Sequence, residues 1–224
     1  DADLDAIAEG LKRTRSGRLC LYGAPGTGKS EYVRWLAARL DMPLVNKRAS
    51  DLLSPYVGMT EKLIAAAFHS ARQQGAVLLI DEADSFLQDR ANARASWEVS
   101  QVNELLTQME SFPGIFCATT NLFKEIDRAS LRRFDLKAEF RSMTTKQTVE
   151  FAKCCAGKLA LGEISAADLA RLERLDGLTP GDFAAVRRGG RFNPLKNTAD
   201  FVTRLEGEVE MKEEGRKKPP IGFY

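Results

Sequence analysis

Short apolar runs alternate with helix-like segments through the first two-thirds of this chain. The runs are rich in the aliphatic and aromatic residues that favour β-strands, and they read RLCLYG, PLVNKR, AVLLID, IFCATTN and LKAEFR. The run AVLLI contains no alternating polar residue, which is typical of a strand buried on both faces of a parallel sheet. Strands that alternate with helices predict an α/β fold, with a parallel sheet sandwiched by helices.

The segments between the strands repeat their apolar residues at helical spacing. The segment TEKLIAAAFHSARQQG ends at a glycine stop signal, Gly75, and its apolar stripe contains Leu63, Ile64, Ala67, Phe68 and Ala71. The segment SWEVSQVNELLTQMESF has a similar stripe of Val102, Leu105, Leu106 and Met109. Both stripes predict helix faces that belong to the protein core.

Strand-like runs stop near residue 145, and helical patterns continue after that point. Ser165 and Asp168 have the spacing of a capping box, and Thr179 stands before a first-turn proline. The change of pattern predicts an α/β core over residues 1–145 and a small all-helical domain over residues 146–224.

The composition does not favour a nucleic-acid-binding or a membrane-spanning protein. The 224 residues are 44% hydrophobic, and 33 Lys and Arg balance 31 Asp and Glu, without the basic surplus of nucleic-acid-binding domains. The apolar runs are too short to span a membrane, and the opening DADLDAIAEG has no signal-peptide pattern.

Cysteine usage indicates a reducing compartment. Cys20 and Cys117 lie inside apolar runs, where cysteine behaves as a small core residue. Cys154 and Cys155 are adjacent, a spacing that fits neither a zinc site nor a redox motif. We therefore expect a cytoplasmic protein without structural disulfides.

A glycine-rich stretch, GAPGTGKS, follows the first predicted strand and matches the pattern G-x-x-x-x-G-K-[ST]. Its glycines let the backbone curl so that N–H groups can approach phosphate oxygens at the start of a helix. Lys29 can reach the β- and γ-phosphates, and Ser30 can bind Mg²⁺. The alternative is a chance glycine-rich turn. We predict a nucleotide site that contains Gly23, Ala24, Pro25, Gly26, Thr27, Gly28, Lys29 and Ser30.

Two other strands end in residues that suit ATP hydrolysis. AVLLID ends in Asp81 and is followed by Glu82, and carboxyl ends of parallel strands share one edge of the sheet. Asp81 suits a direct or water-mediated Mg²⁺ contact, and Glu82 suits the polarisation of an attacking water. Asn121 follows IFCATT and could hold that water. Ordinary explanations are a helix cap for the acids and a strand-end turn for Asn121.

Arg132 and Arg133 stand side by side at the end of the α/β part. Surface arginines are common, but phosphoryl transfer requires a cation to offset the charge of the transition state. Either arginine is a candidate for that role.

These motifs, in this order, resemble the AAA+ ATPases, most nearly the clade of proteasomal ATPases, FtsH-type proteases, spastin and katanin. GAPGTGKS is similar to the Walker A motif of the family, VLLIDEAD to Walker B, and Asn121 to sensor 1. The resemblance implies a five-stranded P-loop NTPase core, a helical lid domain and a Mg²⁺-dependent ATPase. It also implies that the protein works as a ring, usually a hexamer.

The segment IDRASLRRFD resembles the family region that contains arginine fingers, but it departs from the usual form. The family places a glycine between two arginines spaced three apart, whereas the arginines are adjacent here. Arg132 keeps the family distance from Asp127, so it is favoured over Arg133. In the predicted lid domain, the resemblance places Gly181 beside the adenine.

The stretch SPYVGMTEK is similar to the aromatic–hydrophobic–glycine pore loop of the unfoldases in this family. Tyr56 and Val57 would contact an extended peptide, and Gly58 would let the loop bend. The alternative is an ordinary turn before a helix that is capped by Thr60.

These features together favour an ATP-driven ring motor that remodels or threads protein substrates. A nucleic-acid motor or loader on the same core is the main alternative, and the balanced charge makes nucleic acid a less favoured partner. A nucleotide-binding scaffold without turnover is a further alternative, which the set Lys29, Asp81, Glu82 and Asn121 argues against.

Overall fold

A computed structural model describes residues 3–87, 96–123 and 126–217. Within these ranges the chain forms two compact units. The first contains the residues up to Gly23 together with Lys29–Phe140, and the second combines Ala24–Gly28 with the chain from Arg141 onward. The prediction of separate domains divided at residue 145 stays a prediction.

The first unit is built on a parallel sheet in the order β2-β3-β4-β1-β5. Its strands are β1 (Gly17–Gly23), β2 (Leu44–Arg48), β3 (Val77–Asp81), β4 (Ile115–Thr120) and β5 (Leu136–Phe140). All described pairings are parallel. Each strand falls on one of the apolar runs, and the predicted α/β fold with a parallel sheet is confirmed.

The helices of the first unit precede β1 or connect successive strands. They are α1 (Leu4–Thr14), α2 (Lys29–Arg39), α3 (Ala49–Leu52), α4 (Met59–Gln74), α5 (Asp84–Leu87), α6 (Ser96–Ser111) and α7 (Arg128–Leu131). The sequence patterns did not predict α1, whose N-cap Asp3 accepts hydrogen bonds from the N–H groups of Asp5 and Ala6. The signal was present in the sequence, because Leu4, Ile7, Ala8 and Leu11 recur at helical spacing, and Ala8 and Leu11 are buried.

Two hydrophobic cores cover the two faces of the sheet. Because side chains alternate along a strand, Leu78 and Ile80 belong to one core while Val77 and Leu79 belong to the other. The first core includes α4 and α6, and it contains the predicted residues Ile64, Ala67, Phe68, Ala71, Val102, Leu105, Leu106 and Met109. The second core includes residues of α1 and α2. This burial on both faces explains the continuous apolar run of β3.

The second unit is helical after residue 141 and contains α8 (Thr145–Lys158), α9 (Ala166–Leu172), α10 (Pro180–Gly189) and α11 (Thr198–Lys217). Ser165 caps α9 by accepting the N–H of Asp168, as predicted. Thr179 precedes α10 with Pro180 in the first turn, also as predicted. A separate core that includes Phe183, Phe201 and Leu205 holds these helices together.

None of the helices in the described ranges combines the length and apolar character that a membrane span requires.

Candidate active site

The glycine-rich loop joins β1 to α2 along the chain, and its glycines adopt backbone conformations that other residues avoid. Gly26 and Gly28 have φ angles of 77° and 96°. At Gly23, with φ of 138°, a Cβ would lie 2.0 Å from the Phe140 carbonyl oxygen, so a side chain cannot fit. The space beside Gly28 is open, with no described atom within 4 Å of a Cβ built there. A ligand can therefore approach the loop backbone at Gly28.

The loop residues Ala24–Gly28 contact the start of α10 within the second unit. The Gly181 N–H donates to the Gly26 carbonyl oxygen at 2.9 Å. A Cβ on Gly181 would lie 2.7 Å from the Gly26 Cα, so this approach requires glycine. The Thr27 hydroxyl donates to the Ala24 carbonyl oxygen at 2.8 Å, which closes the turn. The predicted adenine role of Gly181 stays a prediction.

Lys29 is buried at the start of α2, with 7% of its surface exposed. Its ammonium donates to the Gly23 carbonyl oxygen at 2.7 Å and to Asn121 Oδ1 at 2.8 Å. Burial lowers the pKa of Lys29, and three nearby carboxylates oppose that shift, those of Asp81, Asp84 and Glu82. The structure thus brings the predicted phosphate lysine and the predicted sensor residue into direct contact.

Ser30 and Asp81 also meet, although they are separated by 51 positions in the chain. The Ser30 hydroxyl donates to Asp81 Oδ1 at 2.7 Å. A hydroxyl and a carboxylate are oxygen ligands of the kind Mg²⁺ prefers, and Mg²⁺ takes few protein ligands when phosphates and water complete its octahedron. The donor set at this strand end therefore fits Mg²⁺ bound to a nucleotide.

Glu82 directly follows β3 and has an unusual backbone. Its φ of 56° lies in the left-handed region, which non-glycine residues seldom occupy. The Glu82 N–H donates to Thr119 Oγ1 at 2.9 Å, while the Glu82 side chain is exposed. The backbone of Glu82 is therefore fixed next to Asp81, and its exposed carboxylate is accessible to a water molecule.

The sequence patterns missed three residues of this site, Asp84, Thr119 and Thr120. Asp84 Oδ1 accepts from the N–H groups of Asn121 and Leu122, at 3.1 and 3.3 Å, and from the Thr120 hydroxyl. Thr119 connects Glu82 to Asp81. All three residues lie within the motifs VLLIDEAD and IFCATTN, but only the alignment of β3 beside β4 brings them together.

The adjacent arginines differ in their surroundings. Arg133 forms an ion pair with Glu110 and donates to the Ala129 carbonyl oxygen at 3.4 Å. Arg132 is exposed, and within the described part of the chain it has no hydrogen-bond or ion-pair partner. In those same ranges neither arginine bonds to Asp81, Glu82 or Asn121, so the structure does not join them to the cluster around Lys29.

The stretch before α4 exposes two apolar side chains, with Tyr56 74% and Val57 86% exposed. Gly58 has φ of 79° and occupies the N-cap position of α4. The cap that the alternative named, Thr60, is wrong because Gly58 is the N-cap of α4, but the alternative of an ordinary turn before that helix is not tested. Thr60 is buried within α4, and its hydroxyl accepts the N–H of Ser54 at 3.0 Å, which fastens the base of the stretch.

A five-stranded parallel sheet with the sequence pattern of a P-loop after β1, and acidic and amide residues after β3 and β4, is the fold of a P-loop NTPase. The family profile described as "ATPase family associated with various cellular activities (AAA)" matches residues 19–142. The chain therefore belongs to the AAA family of ATPases. The prediction of an AAA+ ATPase, from the clade of proteasomal ATPases, FtsH-type proteases, spastin and katanin, is confirmed.

Individual relatives agree with this assignment. Spastin of Drosophila erecta and spastin of Drosophila melanogaster are each 32% identical over 199 residues, which is 84% of this chain and 26% of the relative. The crystal structure of the FIGL-1 AAA domain in complex with ADP superposes with a TM-score of 0.66 at 22% identity. That match covers 91% of this chain and 78% of the other, and it supports the fold. The chain spans about a quarter of the length of the curated relatives it matches.

Proposed function

We propose that this chain is the motor module of a protein-remodelling machine that hydrolyses ATP with Mg²⁺. The observation that carries the proposal is the cluster at the ends of β1, β3 and β4. There Lys29 bonds to Asn121, and Ser30 bonds to Asp81, within one unit. A buried ammonium, a hydroxyl, two acids and an amide in this order are the parts that phosphoryl transfer requires.

In the proposed mechanism, each residue has a separate task. The loop N–H groups and Lys29 bind the β- and γ-phosphates of ATP, and Lys29 exchanges its present acceptors for phosphate oxygens. Ser30 and Asp81 hold Mg²⁺, which supplies positive charge to the phosphates when bound. Glu82 accepts a proton from the attacking water, and the Asn121 amide orients that water. The FIGL-1 AAA domain was solved with ADP, which supports a nucleotide ligand for this fold.

Arg132 is our candidate for the cation that a neighbouring copy supplies to the γ-phosphate. Its guanidinium is exposed and has no partner in the described ranges, whereas Arg133 is engaged by Glu110. A side chain that must reach another subunit benefits from having no competing ion pair. This role requires a ring, which we propose to be a hexamer that forms with ATP or with flanking domains.

Tyr56, Val57 and Gly58 are proposed to contact the protein substrate in the central pore of that ring. Their exposure is high for apolar residues, and Gly58 supplies a bend at the base. A flat aromatic ring and a valine can grip a polypeptide without reading its sequence. We propose that the protein acts in the cytoplasm.

The substitution Glu82→Gln tests the catalytic part of the proposal. The glutamine keeps the size of the side chain but cannot accept a proton, so ATP should still bind while turnover falls by about 100-fold or more. Fluorescent-nucleotide binding and phosphate release would be measured on the same preparation. Turnover close to that of the unchanged protein would remove Glu82 from the mechanism.

The nature of the substrate is tested by stimulation of the ATPase. Unfolded protein should increase the turnover rate, and Tyr56→Ala should abolish that increase while leaving the unstimulated rate intact. Stimulation by DNA or RNA, and not by unfolded protein, would favour a nucleic-acid motor.

A further inference from the structure

We infer that Thr119 and Thr120 are positioning residues for ATP hydrolysis, whose hydroxyl groups fix Glu82 and Asn121 by hydrogen bonds between the ends of β3 and β4. The inference rests on the roles proposed above for Glu82 and Asn121. It adds two residues that contact neither the nucleotide nor the water in that mechanism.

Thr119 and Thr120 are the last two residues of β4. The backbone pairing of β3 with β4 ends at Ile80 and Ala118. Beyond that pair, the Ala83 N–H donates to the Thr119 carbonyl oxygen, and hydrogen bonds of side chains add to this backbone connection between the two strand ends. Thr119 and Thr120 are both almost completely buried, with 1% and 0% of their surface exposed. Their hydroxyl groups therefore depend on protein partners for hydrogen bonds.

Thr119 acts on Glu82. Its hydroxyl donates to Asp81 Oδ1 and accepts the Glu82 N–H at 2.9 Å. Its carbonyl oxygen accepts the Ala83 N–H at 2.8 Å. Glu82 has a left-handed backbone, which persists only when surrounding bonds enforce it. The Thr119 hydroxyl is one of those bonds, and it also ties Glu82 to the carboxylate that we assign to Mg²⁺.

Thr120 acts on Asn121 through Asp84. Its hydroxyl donates to Asp84 Oδ1 and accepts the Leu122 N–H at 3.0 Å. The same Asp84 oxygen accepts the Asn121 N–H at 3.1 Å. The backbone on which the Asn121 side chain stands is therefore held from β4 and from the start of α5. This fixes the amide that contacts Lys29.

Valine is the informative substitution, because it has the shape of threonine without the hydroxyl. Thr119→Val leaves the Glu82 N–H without its acceptor, and Thr120→Val removes a donor from Asp84. We expect each variant to lower kcat by about tenfold, which corresponds to about 1.4 kcal/mol, the size of one ordinary intramolecular hydrogen bond. The KM for ATP and the Kd of a fluorescent nucleotide should stay within about threefold, since the phosphate ligands are unchanged.

Serine variants separate the hydroxyl from the methyl group. Thr119→Ser and Thr120→Ser retain the donor and acceptor, so each should recover most of the kcat that the valine variant loses. If serine and valine variants lose kcat equally, packing and not hydrogen bonding explains the effect, and the inference is wrong.

Double variants test whether the threonines act through the proposed catalytic residues. Thr119→Val should cause almost no further loss in a Glu82→Gln background, and Thr120→Val almost none in an Asn121→Ala background. Losses that multiply would show that the threonines act independently of Glu82 and Asn121. That result would overturn the positioning role.

A matched control is Thr148→Val in α8. Thr148 is equally buried, and its hydroxyl has no hydrogen-bond partner in the described structure. This variant should keep kcat unchanged. Thermal melting checks that each variant folds. If a valine variant does not fold, the alanine variant at the same position, Thr119→Ala or Thr120→Ala, is used instead.

Different results would contradict the positioning role of the threonines and the proposed catalytic role of Glu82. A folded Thr119→Val variant with unchanged kcat, beside an inactive Glu82→Gln variant, ends the inference and leaves the proposed function intact. An active Glu82→Gln variant ends the proposed role of Glu82 itself.

Discussion

At the scale of the residue, burial decides the chemistry of the cysteines. Cys20 lies in β1 and Cys117 in β4, and both are fully buried, as their apolar surroundings predict. Burial raises the pKa of each thiol to about 12. Because the thiolate is the reactive form, these residues remain unreactive thiols at ordinary pH.

Alkylation should therefore distinguish the cysteines in the folded protein. Iodoacetamide at pH 8 should label the exposed Cys154 first, while Cys20 and Cys117 stay unmodified until the chain unfolds. Cys155 should lag behind Cys154, because burial and then the neighbouring Cys154 raise its pKa. Thiols with a pKa near 12 stay protonated at pH 9, so raising the pH to 9 should not make Cys20 and Cys117 reactive. Mass spectrometry of native and denatured samples measures the order, and rapid native labelling of Cys117 would contradict it.

The adjacent arginines give a second prediction at this scale. Arg132→Ala should lower turnover strongly, by about 10³-fold for an arginine finger, without changing stability. Arg133→Ala should instead cost about 0.5 kcal/mol of stability, because it breaks a partly exposed ion pair with Glu110.

Phosphate release and chemical denaturation of both variants measure these effects. The variant Glu110→Ala is the control, since it should share the stability loss of Arg133→Ala and add little to it in the double variant. A larger loss of turnover in Arg133→Ala than in Arg132→Ala would reverse the assignment.

At the scale of the element, two glycines inside helices, Gly207 and Gly181, differ in the space around them. Gly207 lies inside α11, and no described atom lies within 4 Å of a Cβ built there. Gly181 lies in the first turn of α10, and a Cβ there would collide with the Gly26 backbone. The same substitution should therefore have opposite effects at the two positions.

Gly207→Ala should raise the free energy of unfolding by about 0.5–1 kcal/mol, because alanine loses less backbone entropy in a helix. Gly181→Ala should lower it by about 1–3 kcal/mol, because a backbone neighbour cannot move aside easily. Urea denaturation of the two variants measures both values. Equal effects in the two variants would show that the close approach of Gly181 to Gly26 is not rigid.

At the scale of the whole molecule, assembly is the property most directly tied to the proposed function. Glu82→Gln should form a larger, stable oligomer with ATP and Mg²⁺, because unhydrolysed ATP holds neighbouring copies together through Arg132. Light scattering after size exclusion, with and without nucleotide, measures the mass. Adding Arg132→Ala should weaken the oligomer, whereas an unchanged mass in ATP at high protein concentration would contradict a ring built from this chain alone.

Patterns of neighbouring residues in the sequence were sufficient to predict most strands and several turns and helix caps of this molecule. The strands at RLCLYG and AVLLID, the glycine-rich turn between Gly23 and Ser30, and the caps at Ser165 and Thr179 follow from patterns of neighbouring residues. These features depend on backbone conformation and on burial, and both are encoded within a few positions of the chain. The acids after β3 were also recognisable, because residues that end a parallel strand share an edge with the phosphate loop.

Contacts between distant residues required the tertiary structure. The order of the strands brings Thr119 against Asp81 and Glu82, and it brings Asp84 against Asn121. The fold also pairs Arg133 with Glu110 and leaves Arg132 exposed, which residue types alone could not distinguish. A hydrogen bond or ion pair depends on where two atoms lie in space. The residues of these pairs are 23 to 38 positions apart in the chain, so the local sequence contains no information about the distance between them.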